Sequence, residues 1–353
     1  MRPTTHRLCC AFATIFTLLP FTTYGAMNTA DTNQQGSIST PPHYGAELKG
    51  FDYGWPVSHY SFTSQRQPLQ MAYIDAKPAH PNGKVAVLLH GKNFCAGTWD
   101  TTIKTLTQHG YRVIAPDQTG FCKSSQPYSY QFSFEQLAHN THALLAHLGI
   151  EHYTLIGHST GGMLGARYAL MFPANVEQLV MVNPIGLEDW RAKGVPSQSV
   201  DELYESEGSK TAADIRRYEQ TFYYANHWQP EYDKWVNMLA GMYQGEGSDR
   251  VAWNSALLSN MIYTQPVVHE LPNIRVPTLL MIGEKDTTAP GKAKAPPEVQ
   301  KQLGHYPELG RAAAQAIPHA QLVTFPDDGH APQIQSPAQF HQQLLAHLKD
   351  VQQ

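Results

Sequence analysis

The chain has 353 residues, 42% of them hydrophobic and 15% charged. That balance can bury a large core and excludes an intrinsically disordered chain. The formal net charge is −4 with no long run of Lys or Arg, which argues against a nucleic-acid-binding surface.

Arg2, His6 and Arg7 make a basic start, Leu8 to Leu19 is an apolar run, Pro20 breaks it, and a small-residue stretch ends at Tyr24-Gly25-Ala26. This is the three-part layout of a secretory signal peptide, predicted over 1–26 with cleavage after Ala26 or Gly25. The apolar run is short for a bilayer span, and no later segment is long and apolar enough to cross a membrane. The expectation is an exported protein, periplasmic or secreted, with no stable membrane insertion after cleavage. Cys9 and Cys10 leave with the signal, whereas Cys95 and Cys122 remain in a compartment that permits disulfides.

Residues 27–55 are polar and aperiodic and read as a flexible lead-in that joins the body near Tyr53 to Val57. Short apolar runs then alternate with helical patterns. Strands are predicted at Leu69–Ile74, Val85–Leu89, Tyr111–Ala115 (stopped by Pro116), Tyr153–Ile156, Leu179–Val182, Thr278–Ile282 and Gln321–Phe325. Helices are predicted over Thr101–His109, Phe134–Leu148, Met163–Phe172 and Pro337–Leu348. In the second helix Leu137, Thr141, Leu144, Leu145 and Leu148 share one face. Strands that are apolar at every position are buried on both faces, so the fold class is α/β, with a mostly parallel sheet flanked by helices.

The alternation is interrupted once. Residues 186–272 offer aromatic-rich helical stretches (Tyr218, Phe222, Tyr223, Tyr224, Trp228, Tyr232, Trp235, Met238, Met242, Tyr243, Trp253) but no convincing core strand. They are predicted to form a helical cap inserted into a core made of 56–185 and 273–353. Most of these aromatics pack as the cap's own core; a subset facing a ligand would give a moderately apolar pocket.

Gly157-His158-Ser159-Thr160-Gly161 follows the strand Tyr153–Ile156 and precedes a helix. This is the Gly-x-Ser-x-Gly nucleophile elbow. A tight strand-to-helix turn strains the backbone of Ser159, and the residues two before and two after crowd one another, so Gly157 and Gly161 are needed there. The helix N-terminus favours negative charge, and the Thr160 N–H is placed to donate to an oxyanion.

At this point the chain resembles the α/β-hydrolase family over nearly all of the sequence that follows the signal. In that family the chain order is nucleophile, acid, histidine. Gly283-Glu284-Lys285-Asp286 directly follows Thr278–Ile282, so the resemblance makes Asp286 the acid, with Glu284 as its nearest rival. Asp327-Asp328-Gly329-His330 follows Gln321–Phe325, making His330 the base. His90-Gly91-Lys92-Asn93-Phe94 resembles the family's His-Gly oxyanion loop, with the second donor the backbone N–H of Lys92 or of Asn93. The Lys92 side chain is expected to be solvated. His139 and His142 share a helix face but lack a third ligand, so no metal site is expected.

Pro116-Asp117-Gln118-Thr119-Gly120-Phe121-Cys122-Lys123-Ser124-Ser125 resembles the family's Asp-x-x-Gly-x-Gly-x-Ser loop, with Cys122 in place of the second glycine. Because Cys95 lies in the neighbouring oxyanion loop, a Cys95–Cys122 disulfide becomes a hypothesis. It would stabilise by roughly 3 kcal/mol in the chain-entropy model.

The resemblance implies an acyl-enzyme mechanism with no metal or organic cofactor. Ser159 argues against the haloalkane dehalogenases and epoxide hydrolases of this fold, which use aspartate. Thr160 argues against proline iminopeptidases, which have Trp after the serine. Ring-cleavage carbon–carbon hydrolases share the triad order but differ in the oxyanion loop. The expected substrate is a small molecule carrying a carboxylic ester, with lactones and thioesters in scope. The alternatives are a carbon–carbon hydrolase or perhydrolase on the same triad, and a non-catalytic binding protein on this fold.

Overall fold

In the computed structural model, which describes residues 42–350, the strands are β1 (Val57–Ser64), β2 (Gln67–Ala76), β3 (Val85–Leu89), β4 (Arg112–Pro116), β5 (Tyr153–His158), β6 (Val176–Val182), β7 (Thr278–Gly283) and β8 (Ala320–Phe325). They form one sheet in the order β1-β2-β4-β3-β5-β6-β7-β8. β2 runs antiparallel to both β1 and β4, and the remaining pairs are parallel. β5 and β7 are buried at every position, as expected of strands covered on both faces.

The helices that follow the early strands are α1 (Asp100–Gln108), α2 (Phe134–His147) and α3 (Thr160–Met171). Ser133 caps α2 by accepting the Gln136 N–H at 3.1 Å. Against the sheet, α3 packs on β5 and β6.

Between β6 and β7 come α4 (Val200–Gly208), α5 (Ala212–Tyr218), α6 (Asp233–Met242) and α7 (Ser248–Thr264). α4 packs on α7, and α5 on α6. Two of these helices start at reciprocal capping boxes, Ser199 with Glu202 and Thr211 with Asp214, which satisfy the orphan N–H groups of short helices. α8 (Pro297–Gln300) and α9 (Tyr306–Ala316) follow β7, and α10 (Pro332–Gln335) and α11 (Pro337–Asp350) close the chain.

Two features depart from the sequence expectations. β1 has no counterpart among the strands that the sequence predicts. Its hairpin turn is Gln65-Arg66, both with positive φ (48° and 63°), where a two-residue turn of this kind usually carries Asn-Gly. The lead-in is not a linker throughout. Leu48 and Tyr53 are buried, Tyr44 and Gly45 donate to the Gly241 carbonyl, and the Tyr53 hydroxyl donates to Asp117 Oδ2 at 2.7 Å. Its apolar residues are spaced without a helix or strand period, so their burial has no local signature. Residues 27–41, like the predicted signal peptide at 1–26, lie outside the described residues.

The sheet order reverses direction at β3, which lies between β4 and β5. The loops leaving the carboxyl ends of β3 and β5 therefore flank a crevice, the place where open α/β sheets receive ligands.

Candidate active site

Ser159 stands between β5 and α3 with φ 56° and ψ −118°. A non-glycine residue there is strained and needs its neighbours to hold it. Its N–H donates to the Val182 carbonyl at 3.0 Å, and its own carbonyl accepts from Gly162 at 2.9 Å. A Cβ on Gly157 would overlap the Gly161 carbonyl oxygen, and one on Gly161 would overlap that of Leu89. The two flanking glycines are thus required by close approach of backbone to backbone.

His330 follows β8 and is fully buried. Its Nδ1 donates to Asp286 Oδ2 at 2.5 Å. That oxygen also accepts from Asn183 Nδ2 at 2.9 Å, and Asp286 Oδ1 accepts the Thr288 N–H at 2.8 Å. Asn183 is itself clamped, because its Oδ1 accepts the Gly283 N–H at 2.9 Å. The carboxylate is oriented from three sides, and the imidazole is committed to carrying its proton on Nδ1. His330 Nε2 has no hydrogen-bond partner among the described residues. The ring lies against the elbow: the His158 and His330 ring centroids are 4.9 Å apart. Glu284, the alternative acid, is bonded to β8 through its backbone N–H, which donates to the Phe325 carbonyl.

Lys92 and Asn93 lie in the turn after β3, closed by the Phe94 N–H on the Gly91 carbonyl at 3.1 Å. Neither the Lys92 nor the Asn93 N–H donates to another group among the described residues. Thr160 is the first residue of α3, where an N–H has no partner within the helix. Lys92, Asn93, Ser159 and Thr160 line one cavity of about 370 Å³.

A family model described as the alpha/beta hydrolase fold matches residues 84–337. The chain belongs to the α/β-hydrolase family. It is 58% identical to a probable hydrolytic enzyme of Pseudomonas aeruginosa PAO1 of known crystal structure, with a TM-score of 0.87 over 89% of this chain and 100% of that one. It is 24% identical to "putative carbamate hydrolase RutD" of Escherichia coli, over 76% of this chain and 92% of that protein. The counterpart in Yersinia enterocolitica is 26% identical, over 76% and 88%. An enol-lactonase of Burkholderia xenovorans shares the fold, at 20% identity and a TM-score of 0.62 over 80% of this chain and 97% of that one.

The roof of this hydrolase's cavity comes from the inserted helices. Leu203, Ile215, Tyr218, Leu239 and Ile262 contribute apolar surface. Of the aromatics singled out in the sequence, Tyr218 and Tyr223 line the cavity. Tyr224, Trp228 and Tyr232 pack on one another instead. The segment after Asp286 reaches the cavity through Thr288, Pro290 and Gly291.

The Lys92 side chain is not solvated as expected. It is 16% exposed and pairs with Glu207 of α4 at 2.8 Å. Burial draws the Lys92 ammonium below its ordinary pKa, Glu207 pulls it back up, and Lys210 pushes it down again. An ion partner more than a hundred residues away could not be read from the chain. The same holds for Asn183 and for His158, whose ring packs between Phe94 and Trp99.

The insertion also grips the loop of His330. A π-helical turn over Glu219–Tyr223 presents the Phe222 and Tyr223 carbonyls, which accept the N–H groups of His330 at 3.0 Å and Ala331 at 3.2 Å. A Cβ on Gly329 would lie 2.8 Å from both oxygens, so that position needs glycine. π-turns of this kind gather at functional sites.

Cys95 and Cys122 are joined, with Cα atoms 5.9 Å apart. The bond ties the loop after β3 to the loop after β4. Cys122 has φ 49°, a conformation that explains why the family's pattern carries glycine there. Beside it, Asp117 Oδ1 accepts the Ala96 N–H at 2.7 Å and its Oδ2 the Lys123 N–H at 3.1 Å, bracing both loops.

Proposed function

We propose that the protein is an exported serine hydrolase that cleaves a carboxylic ester through an acyl-enzyme, with Ser159 as nucleophile, His330 as base and Asp286 as the orienting acid. The observation that carries this reading is the 2.5 Å His330–Asp286 bond, which leaves His330 Nε2 unpartnered beside an elbow whose serine has positive φ.

His330 takes the Ser159 proton through Nε2 as Oγ attacks the carbonyl, and Asp286 stabilises the imidazolium. The backbone N–H groups of Thr160 and of Lys92 hold the developing oxyanion, and the Asn93 N–H is the alternative to Lys92. The leaving alcohol receives the proton from His330. Water, activated by the same imidazole, then releases the acid. The residues named require no metal or organic cofactor for these steps. The apolar lining from Leu203, Ile215 and Leu239 suits a short aliphatic acyl or alcohol part.

A carbamate as the scissile group is the second reading, favoured by the name of the relatives in Escherichia coli and Yersinia. The same triad would form a carbamoyl-enzyme. Export is supported by the basic-apolar-small order of residues 1–26 and by the disulfide.

The test is a fluorophosphonate probe and a series of p-nitrophenyl esters, applied to wild type and Ser159→Ala. Labelling and turnover that vanish together in the variant support the serine mechanism. A folded wild type that neither labels nor turns over an ester or carbamate overturns it in favour of a binding role. Asp286→Asn should lower kcat by roughly 10³- to 10⁴-fold, because the imidazole would settle in the wrong tautomer.

A further inference from the structure

One wall of the cavity beside Ser159 carries charges that acyl transfer does not need. Lys92 Nζ donates to Glu207 Oε1 at 2.8 Å, and Lys210 Nζ to Glu207 Oε2 at 2.6 Å. The Tyr243 hydroxyl donates to Oε2 at 2.8 Å and Ser259 Oγ to Oε1 at 3.3 Å. Four donors saturate the carboxylate. The ammonium groups are not saturated: each carries three N–H donors, and Glu207 is the one side chain either of them bonds among the described residues.

Two cations on one anion leave an excess of one positive charge at the wall. The other acidic group lining the cavity, Asp214, is engaged by the Thr211 hydroxyl and by Arg217. Asp286, behind His330, is occupied by its own three donors. The excess is local, because the chain as a whole is acidic at −4. Unfilled ammonium donors in a partly desolvated cleft bind an anionic group far better than a neutral one of the same shape.

We propose that this hydrolase acts on esters whose acyl or alcohol part also carries a carboxylate, received at the wall by Lys210 and Lys92. The proposal rests on Ser159 being the nucleophile. A carboxylate, with one negative charge, matches the excess, whereas a phosphate dianion exceeds it. Leu203, Ile215 and Ile262 line the same cavity and suit the aliphatic stretch between ester and carboxylate.

The experiment uses p-nitrophenyl hemiesters of succinic through suberic acid, beside the same series ending in a primary carboxamide. Each pair differs in charge and hardly in shape. Rates in Ser159→Ala are subtracted, because a terminal carboxylate can assist its own ester's hydrolysis. At low ionic strength the kcat/KM of the best hemiester should exceed that of its carboxamide by about ten-fold or more, the scale of one charged hydrogen bond. Lys210→Met should cut that ratio about ten-fold, and Lys210→Arg should retain most of it. Equal or better turnover of the carboxamides, or a ratio unmoved in Lys210→Met, overturns the proposal.

A fluorophosphonate label on Ser159 without anionic preference overturns this inference alone. Absence of the label overturns the reading beneath it. Calorimetry of adipate against adipamide on Ser159→Ala then still decides the anion site: preferential adipate binding, lost when Lys210→Met is added, supports it, and equal binding removes it.

Discussion

His158 donates from Nε2 to the backbone carbonyl of His330 at 2.8 Å, so the residue before Ser159 holds the loop that carries the His330 imidazole. Burial, with His330 adding repulsion, keeps the His158 imidazole well below its ordinary pKa and therefore neutral. Replacing it with leucine leaves a buried carbonyl unpaired, at a cost of about 1–3 kcal/mol. His158→Leu should lose kcat about ten-fold with little change in KM, and His158→Gln, which keeps a donor, should recover most of it. In wild type the unfolded chain takes up a proton below about pH 6.5 that the folded chain refuses, so this residue lowers stability as pH falls. Denaturation from pH 7 to 5 should therefore be less acid-sensitive in His158→Gln. An unchanged slope would argue that the ring takes up its proton in the folded protein as readily as in the unfolded chain.

Glu207 joins the insertion to the loop after β3 through Lys92. Burial works to raise its pKa, but Lys92 and Lys210 outweigh that and hold it well below the usual carboxylate range. A depressed folded-state pKa gives stability that is present above about pH 4.5 and lost as pH falls through the lower folded value. Glu207→Gln leaves two neighbouring cations without their anion and should cost about 3 kcal/mol at pH 7. The difference from wild type should shrink as the pH is lowered below about 4. Urea titrations at pH 7 and pH 3 measure it; an equal loss at both would mean that shape, not charge, matters at this position.

Glu219 has the opposite sign. It is fully buried, neither carboxylate oxygen has a hydrogen-bond partner among the described residues, and burial raises its pKa well above the ordinary value. The folded chain retains a proton that the unfolded chain releases near pH 4.5, so stability declines from there toward the folded-state pKa. Glu219→Gln keeps the shape and removes that decline. The variant should match wild type near pH 4 and exceed it by about 1–3 kcal/mol at pH 8. Because this residue starts the π-helical turn that grips His330, the variant should also keep its activity further into alkali. Thermal melts and rate profiles across that range test both; a variant less stable at pH 8 would mean that Glu219 is ionised and paired there.

The Cys95–Cys122 bond closes a loop with a sequence separation of 27. Removing it as Cys95→Ala/Cys122→Ala should cost about 3 kcal/mol in the chain-entropy model. Asn93 and Phe94 immediately precede Cys95, so kcat should fall more than KM rises. Guanidinium unfolding and steady-state kinetics measure the two effects, and intact mass after alkylation under non-reducing conditions reports the bond itself. Two alkylated thiols in wild type would remove its basis.

What the amino-acid sequence determined by itself is local. β3 is apolar at every position and β5 and β7 carry apolar runs (Leu155-Ile156, Leu279–Ile282), and a strand buried on both faces has few other compositions, so the α/β class was legible. The elbow was legible because Gly157 answers a steric demand within five residues of chain, the Gly161 carbonyl, although the demand at Gly161 itself comes from Leu89 on the neighbouring strand. Asp286 and His330 stand just beyond strand ends, and that placement could be read together with a family resemblance.

The tertiary structure decided whatever depends on distant partners. Asn183 meets Asp286 across 103 residues, Lys92 meets Glu207 across 115, and His158 meets His330 across 172. β1 turns on Gln65-Arg66 without a glycine signal, and Leu48 and Tyr53 are buried without any period. Periodicity and spacing report forces between residues close in the chain. A salt bridge or a clamped carboxylate forms only when folding brings two remote segments together, so its members look like ordinary polar residues until then.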